Sequence, residues 1–230
     1  VYAIATDRFH EAAFYRNTLA HWFVYRAIAE NALLAGADSG DAIVETTWRC
    51  ALELRDLLKF EFFFPRKREF ADQIRREVDI AEPGWEQMTL TRDDVLAMLD
   101  RAHLYVSHRI IGPFLEAYLV VAQRLAQLEP AAPVDTDALV TECLGIARQD
   151  WLMKRLHSPE SISRDLMNGA IKLASNRDLL GVGGEDLRKQ RQDFADELHA
   201  AVERVSVIRR AALAQLEGHS HTVSNEFGRM

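Results

Sequence analysis

The sequence predicts an all-α fold: a multi-helix bundle with long antiparallel helices and no sheet. Apolar residues recur at three- and four-residue intervals along nearly the whole chain. The alternation of β-branched residues between turns that marks strands is missing. With 230 residues and 48% hydrophobic content, the chain can bury a substantial core without disulfides or metal. Cys50 and Cys143 are the only two cysteines. They match neither a zinc spacing nor a disulfide framework, and predict buried free thiols in a reducing compartment.

The first helix is expected from about Asp7 to Leu34, stopping at Gly36, and the second from about Asp41 to Lys59. A shorter helix follows from Arg66 to about Asp79, ended by Glu82, Pro83 and Gly84. Thr91 with Asp94 three residues later forms an acidic capping box for a helix whose buried stripe is Val95, Met98, Ala102 and Val106. Pro113 is expected to kink or break that helix, which resumes from Phe114 to Leu128. Asp135 or Thr136 then starts a helix carrying Val140, Leu144, Ala147 and Trp151 on one side.

Ser158-Pro159-Glu160 combines a hydroxyl cap, a proline at the first helical position and a carboxylate at the positive dipole end. The helix it starts should bury Ile162, Leu166, Ala170 and Leu173. Leu180 to Gly184 reads as a loop. Beyond it, Leu187, Phe194, Leu198, Ala201, Val205, Ile208 and Ala212 keep near-heptad spacing over one long helix. Pro130 and Pro133 make a short rigid linker and mark the expected seam. The organisation read from these signals is a helical part over 1–129, a second helical part over 130–217 packed on it, and a flexible tail over 218–230.

With 35 acidic against 28 basic side chains the formal charge is −7, which opposes a nucleic-acid partner. No stretch of 18 uncharged apolar residues occurs, so nothing is expected to span a bilayer, while surface attachment stays open. The chain starts at Val1, which fits a fragment of a longer polypeptide.

The eight histidines open no His-Glu-x-x-His zinc motif. His103 and His108 would point about 140° apart on one helix. His219 and His221 lack a fixed third ligand. The glycines at 181, 183 and 184 follow no strand and read as a helix C-cap rather than a phosphate cradle. No Gly-x-Ser-x-Gly elbow is present. The sequence therefore predicts no catalytic residue, no cofactor and no metal site.

The most distinctive stretch is Leu57 to Phe70, where Phe60, Phe62, Phe63 and Phe64 meet Pro65 and the cations Arg66, Lys67 and Arg68. Each phenylalanine gains roughly 1.5–3 kcal/mol on leaving water, and each cation gains about 1 kcal/mol beside an anionic lipid surface. Two readings stand. Either the aromatics plug the core where one helix ends, or the cluster docks on a membrane or on another domain. Phe62, Phe63 and Phe64 cannot all face one core, because successive helical residues lie about 100° apart and successive extended residues alternate sides.

Phe14 to Phe23 with Ala27 to Glu30, then Leu57 to Phe70, Ile111 to Tyr118, Ser158 to Ser163 and Leu173 to Leu180 together resemble the C-terminal region of the bacterial membrane-bound glycerol-3-phosphate acyltransferases, the PlsB type. That resemblance implies transfer of a fatty acyl group from coenzyme A or acyl carrier protein to glycerol 3-phosphate. In that family the base and its orienter come from a His-x-x-x-x-Asp motif. Here no histidine has an aspartate five residues on, since Tyr15, Arg26, His108, Pro113, Ile162, Arg204, Ser224 and Glu226 hold those positions. The family's Phe-Pro-Glu-Gly-Thr-Arg phosphate motif is also absent, because Arg66 and Lys67 follow Phe64-Pro65.

The resemblance thus implies a non-catalytic C-terminal part with two partners: an upstream catalytic domain of the same polypeptide, and an anionic membrane surface, peripheral on the cytoplasmic side. The alternative class is an independent all-α interaction or ligand-sensing module such as a regulator effector domain. An upstream His-x-x-x-x-Asp motif would mark the first class and a helix-turn-helix the second.

Overall fold

The computed structural model describes residues 9–40, 42–102 and 105–227, with side chains from 19 to 215 apart from the gaps. Among them are nine α-helices and no strand: α1 (Phe9–Ala37), α2 (Ile43–Leu57), α3 (Lys67–Asp79), α4 (Arg92–Arg101), α5 (Ser107–Ile110), α6 (Gly112–Ala126), α7 (Thr136–Leu152), α8 (Arg164–Asn176) and α9 (Glu185–Phe227). The all-α bundle is therefore confirmed. The expected tail from Gly218 falls where α9 runs to Phe227 but side chains lie outside the described residues.

Two helices act as hubs because they are apolar on nearly every side. In α1, Ala27, Ile28 and Ala29 are consecutive and buried, and Ala32, Leu33 and Leu34 repeat the pattern. Three consecutive residues sweep about 200° of a helix surface, so such a helix must be surrounded. Accordingly α2, α3, α4, α5 and α9 all pack on α1. Leu115 and the run from Ala117 to Ala122 do the same for α6, which is enclosed by α5, α7, α8 and α9. The long α9 touches both hubs, and one contiguous core runs from Ala20 to Val205. Pro130 is buried in the α6–α7 connection, where its carbonyl accepts from the Gly183 N–H at 2.8 Å.

Polar side chains inside this core hold chain ends and turns. Arg26 donates to the carbonyls of Glu77 at 3.1 Å and Ala102 at 3.3 Å, orphan acceptors at the ends of α3 and α4. Asn31 donates to the Ala201 carbonyl at 3.0 Å and accepts from Arg204 Nε at 2.7 Å, fastening α1 to α9. Arg191, fully buried, donates to the Leu179 and Gly181 carbonyls at 2.8 and 3.1 Å. The helix cap expected of the glycines falls instead on Asp178, which takes the left-handed conformation (φ 58°), with Asp178 N and Leu179 N donating to the Ser175 and Ala174 carbonyls at 3.1 and 2.9 Å. Gly36 sits where α1 and α2 cross so closely that a Cβ would meet the Ile43 carbonyl at 2.8 Å. Its role is close approach rather than termination, and α1 continues to Ala37.

Several local signals are realised. The Thr91–Asp94 box is closed in both directions, at 3.2 and 2.8 Å. Asp135 caps α7 by accepting from the Asp137 and Ala138 N–H groups at 3.1 and 3.0 Å. Both cysteines are buried free thiols.

Three expectations are corrected. The helix begun at Arg92 does not run to a kink at Pro113: α4 ends at Arg101, and α5 starts anew at Ser107. Glu30 on α1 forces that restart by accepting from Val106 N at 3.0 Å and Ser107 N at 2.8 Å. Pro113 falls in the first turn of α6, where its missing N–H has no helical acceptor to lose. Ser158-Pro159-Glu160 opens only a 3-10 turn, Pro159–Ser161, and α8 begins at Arg164. The cause is Glu116, which accepts from His157 N, Ser158 N and the Ser161 hydroxyl at 3.0, 3.1 and 2.6 Å. In consequence Met167, Ala170, Leu173 and Ala174 are buried on α8, while Ile162 and Leu166 are only half-buried. On α7 the inner stripe is Leu139, Val140, Cys143 and Ala147, and Trp151 in the last turn is exposed. His103 lies outside the described residues. Burial beside Arg109 and Arg209 lowers His108 to about 4.

Glu30 is 1% exposed, and burial pushes its carboxyl up to about 7 against the opposing backbone N–H groups and Arg26. A raised carboxyl pKa favours the folded state below the unfolded value and loses that advantage as pH rises through the folded value. Between pH 5 and 8 the wild-type chain should therefore lose roughly 2.5 kcal/mol relative to Glu30→Gln. Denaturant melts of both proteins at the two pH values measure this, and parallel pH profiles would refute it.

Candidate docking surface at the aromatic-basic segment

Between α2 and α3 the chain leaves the helix at Leu57 and turns as Glu61 N and Phe62 N both donate to the Leu58 carbonyl at 3.0 Å. It then runs without regular structure to Arg66. Extended residues alternate sides, and the rings obey that rule. Phe62 packs on Phe114 of α6 at a centroid distance of 5.0 Å, and Phe64 meets Phe70 edge-on at 5.5 Å and Tyr25 at 6.3 Å. Between them Phe63 points away and is 97% exposed. Phe60 is 44% exposed, with Lys59 Nζ 5.5 Å from its ring centre.

The end of the segment is fixed from below. Arg55 donates to the Pro65 carbonyl at 2.8 Å and places its guanidinium 5.6 Å from the Phe70 ring centre. Pro65 leaves the helix path, and Lys67 opens α3. Arg66, Lys67 and Arg68 are exposed, and none has an ion-pair partner among the described residues. The structure thus divides the cluster: Phe62 and Phe64 belong to the packing, while Phe60, Phe63 and the three cations form its outer face.

Glu61, in the middle of this aromatic run, accepts from the Tyr118 hydroxyl at 2.6 Å. Tyr118 is fully buried on α6, and the carboxylate lies over Gly169 of α8. Burial raises Glu61 above the ordinary carboxylate range, opposed by the Tyr118 hydrogen bond. Burial and the Glu61 carboxylate together raise the Tyr118 phenol. Nearby, Lys59 Nζ bonds Asp56 at 2.8 Å and Asn176 at 2.6 Å, and Arg177 bonds Asp56 at 2.9 Å while also pairing with Glu197. The loop is therefore riveted to α6, α8 and α9. The sequence reading missed these partners; the available signal was a lone carboxylate within four phenylalanines.

A second surface feature is a cleft of about 330 Å³ between α2 and α9, lined by Arg49, Glu53, Asp193, Asp196, Glu197 and Arg204 among others. Its charges are mostly engaged: Arg49 with Glu53, Glu197 with Arg177, and Arg204 with Asn31. Among the described residues no group of three or more His, Cys, Asp or Glu is placed to hold a metal ion. Nor is any described helix long and apolar enough to cross a membrane.

Comparison with known proteins defines the class. The model of the glycerol-3-phosphate acyltransferase C-terminal region matches residues 1–183, and the chain belongs to that family. It is 38% identical over 226 residues to the acyltransferase named plsB1 in Mycobacterium bovis, and equally to those of two Mycobacterium tuberculosis strains. The alignment covers 94% of this chain but only 35% of each relative. No solved structure matches significantly.

A Cβ at Gly169 would collide with the Glu61 carboxylate and lie 2.7 Å from the Tyr118 hydroxyl. Gly169→Ala gains up to about 1 kcal/mol of helix propensity but displaces Glu61 and leaves a buried hydroxyl unpaired, at about 1–3 kcal/mol. Net destabilisation is expected, and it should disappear in a Tyr118→Phe background. Thermal melts of the double-mutant cycle test this; additive effects would refute it.

Proposed function

We propose that this chain is the non-catalytic C-terminal domain of a longer glycerol-3-phosphate acyltransferase, whose upstream domain transfers an acyl group from acyl-CoA or acyl carrier protein to glycerol 3-phosphate. In this reading the chain braces the catalytic domain and holds the enzyme peripherally on the cytoplasmic side of the membrane. Family membership supports the parent activity. The absence of a His-x-x-x-x-Asp pair from residues 1–230 supports the non-catalytic assignment.

The membrane reading rests on one observation: Phe63 is 97% exposed beside three cations with no described ion-pair partner, although the chain as a whole carries −7. A ring left in water adds almost nothing to the stability of the fold, and a ring flanked by cations matches an anionic bilayer interface. Phe62 and Phe64, half-buried beneath, keep the loop from collapsing when Phe63 enters lipid.

The purified chain is expected to show no acyl transfer from acyl-CoA to glycerol 3-phosphate above a blank; turnover would overturn the non-catalytic assignment. Co-sedimentation with phosphatidylglycerol vesicles tests the docking face. Replacing Phe63 by Ser and Arg66, Lys67 and Arg68 by Gln should leave Tm within about 2 °C and abolish sedimentation. A collapsed Tm with vesicle binding retained would show that the cluster serves packing instead.

A further inference from the structure

The C-terminal end of α7 exposes Trp151 at 37%, Leu152 at 80% and Met153 at 55%. Three consecutive apolar residues in solvent at a helix end stand out against the near-complete burial of the rest of the core. The next residue, Lys154, has φ 59°, the left-handed conformation. Its N–H bonds the Trp151 carbonyl at 3.0 Å, and Arg155 N bonds the Asp150 carbonyl at 2.8 Å. This paired pattern is the Schellman helix end, whose left-handed position normally belongs to glycine. A lysine there is held at a conformation that disfavours it, and its charge is placed directly after the apolar residues.

This helix end lies at the same end of α6 as the aromatic-basic segment. Phe114 in the first turns of α6 packs on Phe62 at 5.0 Å. Two residues on, Glu116 holds His157 N and Ser158 N at 3.0 and 3.1 Å, and so anchors the segment that leaves α7. Asp150, the nearest carboxylate in sequence, is paired with Arg155. Lys154 and Arg148 are exposed and have no ion-pair partner among the described residues.

We propose that residues 151–154 are a second lipid-contact site, entering the anionic bilayer at the same end of α6 as Phe60, Phe63 and Arg66 to Arg68, with the two sites anchored about 200° apart around that helix. The inference rests on the membrane reading of that segment. The partner is a bilayer because the site joins an indole, two flexible apolar chains and a snorkelling cation, the composition suited to the interface between acyl chains and headgroups. Lys154 and Arg148, beside these apolar residues, are cations without an ion-pair partner among the described residues, so the bilayer must be anionic.

The test uses the whole chain with vesicles of phosphatidylcholine alone or mixed with phosphatidylglycerol. Wild type should bind the anionic vesicles preferentially. Brominated acyl chains should quench its fluorescence by an amount that Trp151→Phe removes. Leu152→Ser with Met153→Ser should weaken binding at least about tenfold, and Lys154→Gly about fivefold, with Tm unchanged in the first and equal or slightly raised in the second. Suppose wild type binds and loses binding on substitution of Phe63 and Arg66 to Arg68, while the α7 variants bind normally and Trp151 is not quenched. The second site is then refuted and the first reading survives. If wild type binds neither vesicle, both fall. A marked loss of Tm in the serine variant makes Leu152 and Met153 packing residues and overturns the proposal.

Discussion

A helix that is apolar on all sides cannot stand at a surface, and α1 imposes that constraint on everything around it. Its buried alanines at 27, 29 and 32 let neighbours approach closely, and its larger Ile28, Leu33 and Leu34 fill the gaps. Five helices answer by packing on it. The constraint leaves little room for polar groups, and although Trp85 Nε1, Ser107 Oγ and Arg191 Nη1 are buried without a partner, the two carboxylates inside are put to use. Glu30 and Glu116 show how: each spends its carboxylate on N–H groups of a turn, doing for a loop what a helix cap does for a helix start. Removing either would leave buried donors unpaired, about 1–3 kcal/mol for each.

The same economy shapes the aromatic-basic segment. A chain leaving one helix and entering another must cross the edge of the core, and alternation lets it seal that edge with Phe62 and Phe64 while Phe63 remains free. The core-plugging and docking readings therefore divide the cluster residue by residue. The Tyr118–Glu61 contact and the Arg55–Pro65 bond hold the loop's backbone so that the outward ring is presented on a rigid base. A contact group on a rigid base loses less conformational entropy on binding than one on a loose loop.

Much of the fold was legible because its signals are local. Thr91 with Asp94, Asp135 ahead of α7, and the long apolar period of α9 each act within a few residues, and each is found in place. What escaped the sequence is set by distant partners. The break before Ser107 depends on Glu30, 77 residues away. The failure of Ser158-Pro159-Glu160 to start a helix depends on Glu116, 42 residues from Ser158. The outer face of the candidate site was foreseen only as a necessity, that some ring must be outside; which one follows from Phe114 and Tyr25 on other helices. Glu61 drew no reading from the sequence, because its role depends on Tyr118 and Gly169 on other helices.

The bond from Asn31 to the Ala201 carbonyl spans 170 residues, and this has a consequence during synthesis on the ribosome. At translation rates of about 5–20 residues per second, α9 emerges on the order of 10–30 s after α1. Throughout that interval one flank of α1 lacks its cover, and its apolar side chains and the Asn31 amide face water or a holdase chaperone. Of the nine described helices, α1 is made first and is among the last to be closed in.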